Sequence, residues 1–253
     1  MNMQHASEEK VSDITILYED EDVIVINKPS GIMVHGDGRS TEPTVVDWFL
    51  AHTPASRGVG EPGLAQDGTP LERSGVVHRL DKETSGVLIL AKTQSGFTHL
   101  KEQFHERLVR KEYRAFIYGT LKEKWGTITR PIGRSPRDFR MRSAERGARG
   151  VLRSAVTDWE LLQQSGTHAY VRVIPKTGRT HQIRVHLRSI GKPIVGDTLY
   201  ASREVEQNNN LGFSRLALHA YSLKISLLSG EEKTYIAELP SDFSDALTSI
   251  ATQ

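Results

Sequence analysis

The chain has 253 residues, of which 37% are hydrophobic and 25% charged, so it is long enough for one large domain or two small ones. It contains no run of about 18 to 20 apolar residues that would span a bilayer, and its opening lacks the basic and apolar regions of a signal peptide. It has no cysteine, which excludes disulfides, thiolate nucleophiles and zinc–thiolate sites. We expect a soluble, cytoplasmic protein with no membrane attachment.

The net charge of +2 conceals an uneven distribution along the chain. Residues 107 to 153 contain 14 Lys or Arg and 4 Asp or Glu, and residues 172 to 192 contain 6 basic and no acidic residues. If these side chains share a face, they attract a polyanion such as nucleic acid by counterion release. If folding distributes them over several faces, they do not indicate nucleic-acid binding. The charge alone does not decide between these two alternatives.

The first third of the chain predicts an early strand, a short helix and a long loop. Residues 23 to 26 are typical of a strand, and Val45 to His52 of a short helix. The Gly- and Pro-rich residues 53 to 75 predict a loop of a length that is usually functional or disordered. Two apolar runs follow, at residues 75 to 80 and 87 to 91, and predict two strands joined by a tight connection.

The sequence after residue 91 predicts mostly strands, together with two helices. Phe97, Leu100, Phe104 and Leu108 form one apolar stripe, which predicts a helix over residues 95 to 109. A second helix is predicted over residues 180 to 190, stopped by Gly191 and Pro193. Strands are predicted at 113 to 118, 156 to 162, 170 to 174 and 216 to 228, and exposed arms at 126 to 150. Without regular alternation of strand and helix, we expect an α+β fold with a mixed, largely antiparallel central sheet flanked by helices and loops.

Asp81 is a candidate catalytic carboxylate because it follows the predicted strand at residues 75 to 80. Taken alone it has an ordinary alternative reading, since Asp before Ser, Thr and Gly commonly closes a turn on its own backbone. Asp81 and Glu83 do not read as the paired carboxylates of a glycosidase, because two residues apart in one turn they would not flank one bond.

Residues 177 to 186 form a second polar cluster, denser than the start of a helix requires. His181 and His186 are five residues apart and no Glu accompanies them in a zinc-protease pattern, so we do not expect a metal site. Considered singly, Arg184 could be an ordinary solvated arginine on the surface. Tyr113 could likewise be an ordinary aromatic residue that packs against a neighbouring strand.

Together these segments resemble the RluA-type family of RNA pseudouridine synthases over nearly the whole chain. The strongest match is His78-Arg79-Leu80-Asp81-Lys82-Glu83-Thr84-Ser85-Gly86, which is similar to that family's HRLDxxTSG signature. Further blocks agree in order and spacing: Asn27-Lys28-Pro29-Ser30-Gly31, Lys111-Glu112-Tyr113-Arg114-Ala115, Gly178-Arg179-Thr180-His181-Gln182-Ile183-Arg184, Gly196-Asp197-Thr198-Leu199-Tyr200 and Leu218-His219-Ala220.

The resemblance implies the pseudouridine synthase catalytic fold with a central active-site cleft, and an activity that isomerises uridine in RNA. It assigns Asp81 as the catalytic aspartate, Tyr113 as the aromatic beside the target base, and Arg184 as the ionic partner of Asp81. It also implies that Arg79 assists the flipping of the base. Further residues of the matching blocks and their surroundings are expected to bind RNA, namely His78, Lys28, Lys111, Lys176, Arg179, His181 and Gln182. The isomerisation conserves all atoms, so we expect no cofactor and no metal.

We expect one catalytic domain over residues 14 to 243, between a flexible N-terminal tail of residues 1 to 13 and a C-terminal tail of residues 244 to 253. Many relatives begin with an S4-type RNA-binding module, and we expect none here. The protein is expected to act as a monomer on rRNA or tRNA, which the sequence does not distinguish. Two other classes stay open: a non-catalytic RNA-binding or ribosome-assembly factor on the same fold, and a glycosidase that releases free uracil.

Overall fold

The computed structural model describes residues 11 to 65, 68 to 202 and 210 to 251. The chain divides into two compact units, the first formed by residues up to Arg110 together with Ser222–Ala237, and the second by Lys111–Tyr221 and the residues from Glu238 onward. Within the described residues, no helix is both long and apolar enough to cross a membrane.

The helices are short and the strands numerous. The helices are α1 Val45–His52, α2 Gln94–His105, α3 Gln182–Ser189 and α4 Ser241–Ala251. The strands are β1 Thr15–Glu19, β2 Val23–Lys28, β3 Gly63–Leu64, β4 Pro70–Leu71, β5 Ser85–Ala91, β6 Arg110–Tyr118, β7 Trp125–Ile128, β8 Ile132–Arg134, β9 Arg142–Ser143, β10 Arg149–Arg153, β11 Thr157–Ser165, β12 His168–Pro175, β13 Leu218–Ser226 and β14 Glu232–Ile236.

The first unit is built on antiparallel pairs that bury an apolar layer. Strand β2 pairs with β1 on one side and with β5 on the other, and β13 pairs with β14 over Ser222 to Ser226. Every side chain of β5 is buried. Thr44 caps the N-terminus of helix α1. Its hydroxyl accepts the N–H of Asp47, and the Asp47 carboxylate accepts the N–H of Thr44, which forms a capping box.

The second unit contains an antiparallel arrangement in the order β6, β12, β11 and β7. An aromatic cluster lies at its core, where Phe116 packs against Tyr170, Phe213 and Phe243 with ring centroids 4.9 to 5.5 Å apart. A smaller sheet, in the order β10, β8 and β9, forms a separate arm. The predicted α+β class with largely antiparallel pairing is confirmed.

The strand predicted at residues 75 to 80 is wrong. Val76 forms a single bridge with Leu90, and beyond it the imidazole Nε2 of His78 accepts the backbone N–H of Ile89 at 3.2 Å. A side chain therefore takes the place of the carbonyl that a neighbouring strand would have supplied. The predicted helix from 95 to 109 also ends early, at His105, because Arg107 has a positive φ of 60° and Leu108 is 66% exposed.

The predicted C-terminal tail is wrong for the described residues 244 to 251, which belong to helix α4. This helix buries Phe243, Ala246 and Ile250 in the core of the second unit. Their spacing of three and four residues is that of one helical face. Residues 1 to 10 of the predicted N-terminal tail lie outside the described residues.

Candidate active site

Asp81 lies in a turn that leads into β5. The N–H of Thr84 donates to the Asp81 carbonyl at 3.1 Å, and the flanking Leu80 and Thr84 are buried. The position expected at the end of a strand is therefore corrected: the carboxylate stands ahead of a strand, in a turn whose two ends are anchored in the core.

Lys28 and the residues that follow it hydrogen-bond to the backbone of the Asp81 turn. Lys28 is fully buried, and its ammonium donates to the carbonyls of Pro29 and Ile32 at 2.9 Å and of Lys82 at 3.1 Å. The N–H of Gly31 donates to the same Lys82 carbonyl at 2.8 Å. Two sequence blocks more than 50 residues apart therefore form one structural element.

This position corrects the RNA contact predicted for Lys28. An ammonium with 0% exposure that is occupied by three carbonyl groups does not reach a ligand on the surface. Charge-assisted hydrogen bonds of this kind offset the cost of burying the cation. Lys28 is instead placed to fix the backbone beside Asp81.

Arg79 is exposed, and a buried histidine orients it. Its Nη1 donates to Nε2 of His35 at 3.2 Å, while Nδ1–H of His35 donates to the Gly36 carbonyl at 2.7 Å. Desolvation lowers the pKa of His35, opposed by the Gly36 carbonyl and reinforced by the guanidinium groups of Arg79 and Arg73. The imidazole therefore stays neutral and can accept the bond from Arg79. No sequence motif had indicated His35.

His78 lies inside the first unit. Its ring stacks on Phe104 with centroids 4.5 Å apart, in addition to the bond from Ile89. These contacts give His78 a structural function, and its predicted RNA contact stays a prediction.

In the second unit, Lys111 and Tyr113 lie two residues apart on β6 and so point to the same face of that strand. Tyr113 stands opposite Val173 and packs against the core. Desolvation lowers the pKa of Lys111, and its ammonium lies 3.8 Å from the place where a Cβ on Gly178 would be. The strand therefore presents a partly buried ammonium beside the loop that leads to α3.

Arg184 lies on α3 and is buried against an aspartate. Its Nε and Nη2 donate to the two carboxylate oxygens of Asp197 at 2.8 and 2.7 Å, and its guanidinium lies 4.9 Å from the ring of Tyr200. Asp197 is 1% exposed and also accepts the backbone N–H groups of Leu199 and Tyr200. The pairing of Arg184 with Asp81 stays a prediction, whereas Asp197 is a partner whose role the sequence had not indicated.

Gly196 makes the Asp197 turn possible. Its φ is +71°, and a Cβ there would lie 2.1 Å from the carbonyl oxygen of Arg215. Only glycine tolerates both the conformation and the close approach. The residues from Gly196 to Tyr200 thus form a turn whose Asp197 and Tyr200 side chains bind Arg184.

Gln182 is fully engaged inside the second unit. Its Oε1 accepts from the Thr177 hydroxyl and the Arg179 N–H, and its Nε2 donates to the Val156 carbonyl and the Thr157 hydroxyl, all within 2.7 to 3.0 Å. Because an amide has only this donor and acceptor capacity, the predicted RNA contact at Gln182 is not supported. Gln182 ties the start of α3 to β11.

The other predicted RNA contacts are more accessible. His181 has a left-handed φ of 56°, and its Nδ1 lies 2.8 Å from the Tyr200 hydroxyl. Arg179 donates through Nε to the Ser154 carbonyl at 3.1 Å, and Lys176 is an exposed lysine 3.2 Å from Asp158. Their roles in RNA binding stay predictions.

The sequence matches the family model described as RNA pseudouridylate synthase over residues 22–189. The chain belongs to the RNA pseudouridylate synthase family. It is 41% identical to an RNA pseudouridine synthase of Synechocystis sp. over 238 residues, which cover 92% of this chain and 68% of that protein. It is 36% identical to ribosomal large subunit pseudouridine synthase D of Xanthomonas campestris, over 97% of this chain and 72% of the relative.

A solved structure supports the same family. Human RNA Pseudouridylate Synthase Domain Containing 1 superposes with a TM-score of 0.72 at 26% identity, covering 93% of this chain and 88% of the human one. The protein is therefore an isomerase that acts on RNA. The family resemblance indicated by the sequence blocks is confirmed, and the match includes both the Asp81 turn and the Arg184 helix.

Proposed function

We propose that the protein converts specific uridines of ribosomal or transfer RNA to pseudouridine, with Asp81 as the catalytic carboxylate. The observation that carries the assignment of Asp81 is the anchoring of its turn by Lys28 and Gly31 through the Lys82 carbonyl. A carboxylate on a fixed backbone is preorganised, which is what catalysis by charge stabilisation requires. Several relatives carry the name ribosomal large subunit pseudouridine synthase, so ribosomal RNA is the first substrate to test.

The reaction breaks the N1–C1′ bond, turns the uracil and joins C5 to C1′, and the proton on C5 leaves while N1 gains one. Asp81 serves as an ionised carboxylate, either as nucleophile or by stabilising positive charge at the reacting sugar. Tyr113 stacks on the detached uracil and exchanges the C5 proton. Arg184 favours the ionised form of Asp81 by its positive charge.

The target nucleotide must leave its stack before the carboxylate reaches it, at a cost of a few kcal/mol. Arg79 is suited to replace it in the stack, because its guanidinium is exposed, planar and oriented by His35. Neutral His35 accepts a bond from Arg79 without opposing its charge, and protonation would remove that acceptor.

Tritium release from RNA labelled at uridine C5 tests the activity directly. We expect the wild type to release tritium, and Asp81→Asn to lower the rate about 10³-fold or more, since the amide cannot act as the ionised carboxylate. Glu83→Gln, in the same turn, is the matched control and should keep most of the activity. Free uracil among the products would indicate a glycosidase, and no release from any cellular RNA would exclude the proposed reaction.

We propose further that the enzyme acts as a cytoplasmic monomer. Size-exclusion chromatography with light scattering, with and without RNA, measures its oligomeric state. Pseudouridine mapping in rRNA and tRNA from cells with and without the protein identifies the modified positions.

A further inference from the structure

A small cavity of about 70 Å³ lies in the second unit, where the β8–β9 arm meets helix α3. Four arginines line it, three from the arm and one from the helix: Arg137, Arg142, Arg146 and Arg188. The described lining includes one carboxylate, that of Glu145. The cavity thus carries an excess of positive charge.

Several other arginines of the second unit are each paired with a carboxylate. Arg184 pairs with Asp197, Arg172 with Glu112 and Arg215 with Asp242. Within the described part of the chain, by contrast, the guanidinium groups of the four lining arginines form no ion pair. Asp138, an acidic residue of the same arm, is already bonded to Arg140 outside the cavity. The four guanidinium groups outnumber the single lining carboxylate, so the cluster favours an external anion.

Packing holds the walls of the cavity in place. Tyr200 is 4% exposed, and its hydroxyl accepts the backbone N–H of Arg142 at 2.8 Å. Its ring packs with Val185 and Ile132 in a separate hydrophobic cluster beneath the arm. The Arg188 guanidinium lies 5.9 Å from the centre of the Tyr200 ring. The arm and the helix are therefore joined where the arginines converge.

We propose that this cavity binds a phosphodiester group of the RNA strand, a contact that rests on the proposed function in taking RNA as the substrate. Arginine forks match the oxygens of a phosphate, and several of them around one small space select an anion of that size. Phe139, which is 79% exposed, lies between Arg137 and Arg140 in the sequence of the same arm and offers a ring for a neighbouring base. This combination of phosphate and base contacts favours a nucleic-acid strand over free phosphate.

The cavity is also linked to Arg184, a predicted catalytic residue of this unit, through Tyr200. Tyr200 contacts the arm through Arg142 and the Arg184 guanidinium through its ring. Only the side chain of Tyr200 would thus separate a phosphate bound in the cavity from Arg184. The cavity would position the strand within the second unit rather than merely raise the local concentration of RNA.

The test compares two double variants that each remove two positive charges. Arg146→Ala/Arg188→Ala removes two lining guanidinium groups, neither of which hydrogen-bonds within the described structure. Arg149→Ala/Arg153→Ala removes two exposed arginines of β10 that do not line the cavity. Affinity for a labelled oligouridylate of about 20 residues is measured over a salt series. Arg188→Gln alone serves as the milder variant if the first double variant is unstable.

We expect the cavity variant to weaken binding about tenfold or more and to reduce the slope of log affinity against log salt by about 1, because one phosphate contact is lost. The control should weaken binding by less than about threefold. Equal effects of the two pairs, or no effect of the cavity pair, would overturn the proposal. Binding is measured independently of tritium release, so an RNA that binds without reacting would count against the proposed function and not against the cavity.

Discussion

At the scale of single residues, two buried cations govern the backbone around the candidate site. The Lys28 ammonium is surrounded by three carbonyl groups, and the Arg184 guanidinium by the two oxygens of Asp197. A buried charge is tolerated only with such partners, because desolvation otherwise costs several kcal/mol. Each cation therefore requires a particular backbone arrangement, and each arrangement carries a residue proposed for catalysis.

Asp197→Asn should reduce the free energy of unfolding by about 3 kcal/mol or more, because the buried Arg184 guanidinium loses the carboxylate that accepts from its Nε and Nη2. The control is Asp242→Asn, whose partner Arg215 and own side chain are 17% and 29% exposed, and which should cost about 1 kcal/mol or less. Urea unfolding of both variants gives the comparison. Similar losses would show that the Arg184 pair has no special contribution.

Lys28→Met should impair catalysis through the Asp81 turn. The substitution keeps the side-chain length but leaves buried carbonyls without their donor, at about 1 to 3 kcal/mol for an unsatisfied group. We expect the rate of tritium release at saturating RNA to fall more than the affinity for RNA does. Ser30→Ala, which removes an exposed hydroxyl that donates to the Glu83 carbonyl at 2.7 Å, is the control. A loss of RNA affinity alone would instead support the original prediction that Lys28 contacts RNA.

At the scale of elements, helix α4 shows how a short segment with mostly polar and small residues becomes part of the core. The sequence SDFSDALTSIA contains few large apolar residues, but Phe243, Ala246 and Ile250 share one face and are buried. Phe243 lies at the N-terminal end of that face, with its ring centroid 5.2 Å from that of Phe213 and 5.5 Å from that of Phe116. Most of the stability of such a helix comes from this packing rather than from helix propensity.

Phe243→Ala should therefore reduce the free energy of unfolding by about 3 to 5 kcal/mol, since it removes a fully buried aromatic ring and leaves a cavity. Asp245→Ala on the exposed face of the same helix should change it by about 0.5 kcal/mol or less. Denaturant unfolding followed by circular dichroism measures both. A small effect of Phe243→Ala would mean that α4 is not part of the cooperative core.

At the scale of the whole molecule, two buried histidines with lowered pKa values, His35 in the first unit and His186 in the second, couple stability to pH. Burial lowers the pKa of both His35 and His186 from the ordinary value of 6.5. His186 bonds through Nδ1 to the Thr157 hydroxyl and through Nε2 to the Arg130 carbonyl, each at 2.8 Å. Both rings are therefore held in the neutral form, and folding opposes their protonation.

Because the folded pKa values are depressed, this contribution to stability is complete above pH 6.5 and is lost as the pH falls towards the folded values. We expect the free energy of unfolding to decrease between pH 7.5 and about 5, by at most about 1.4 kcal/mol per pH unit for each histidine. Carboxylates such as Glu19, whose pKa is lowered from 4.5 by Lys92 and His52, add a similar loss only at lower pH. Urea unfolding of wild type and His186→Gln over this range measures the effect.

The variant should show a weaker dependence on pH than the wild type. His105→Gln, at an exposed position, should leave the dependence unchanged. An identical pH profile for wild type and His186→Gln would rule out His186 as a source of the coupling.

The sequence by itself determined the family, the α+β class and the elements whose signals are local. Helix α1 has its predicted bounds because Thr44 and Asp47 form a capping box within a single turn. The blocks around Asp81, Tyr113 and Arg184 were recognisable for a similar reason, since the pattern of each depends on neighbouring residues.

Only the tertiary structure decided what holds those blocks. The Lys28 contact with the Asp81 turn, the Asp197 contact with Arg184 and the His78 bond to Ile89 join residues that are 54, 13 and 11 positions apart, in different elements of the fold. Lys28 was expected to bind RNA and residues 75 to 80 to form a strand, because burial and hydrogen-bond partners depend on which segments meet in space. The periodicity of the sequence does not encode which segments meet in space.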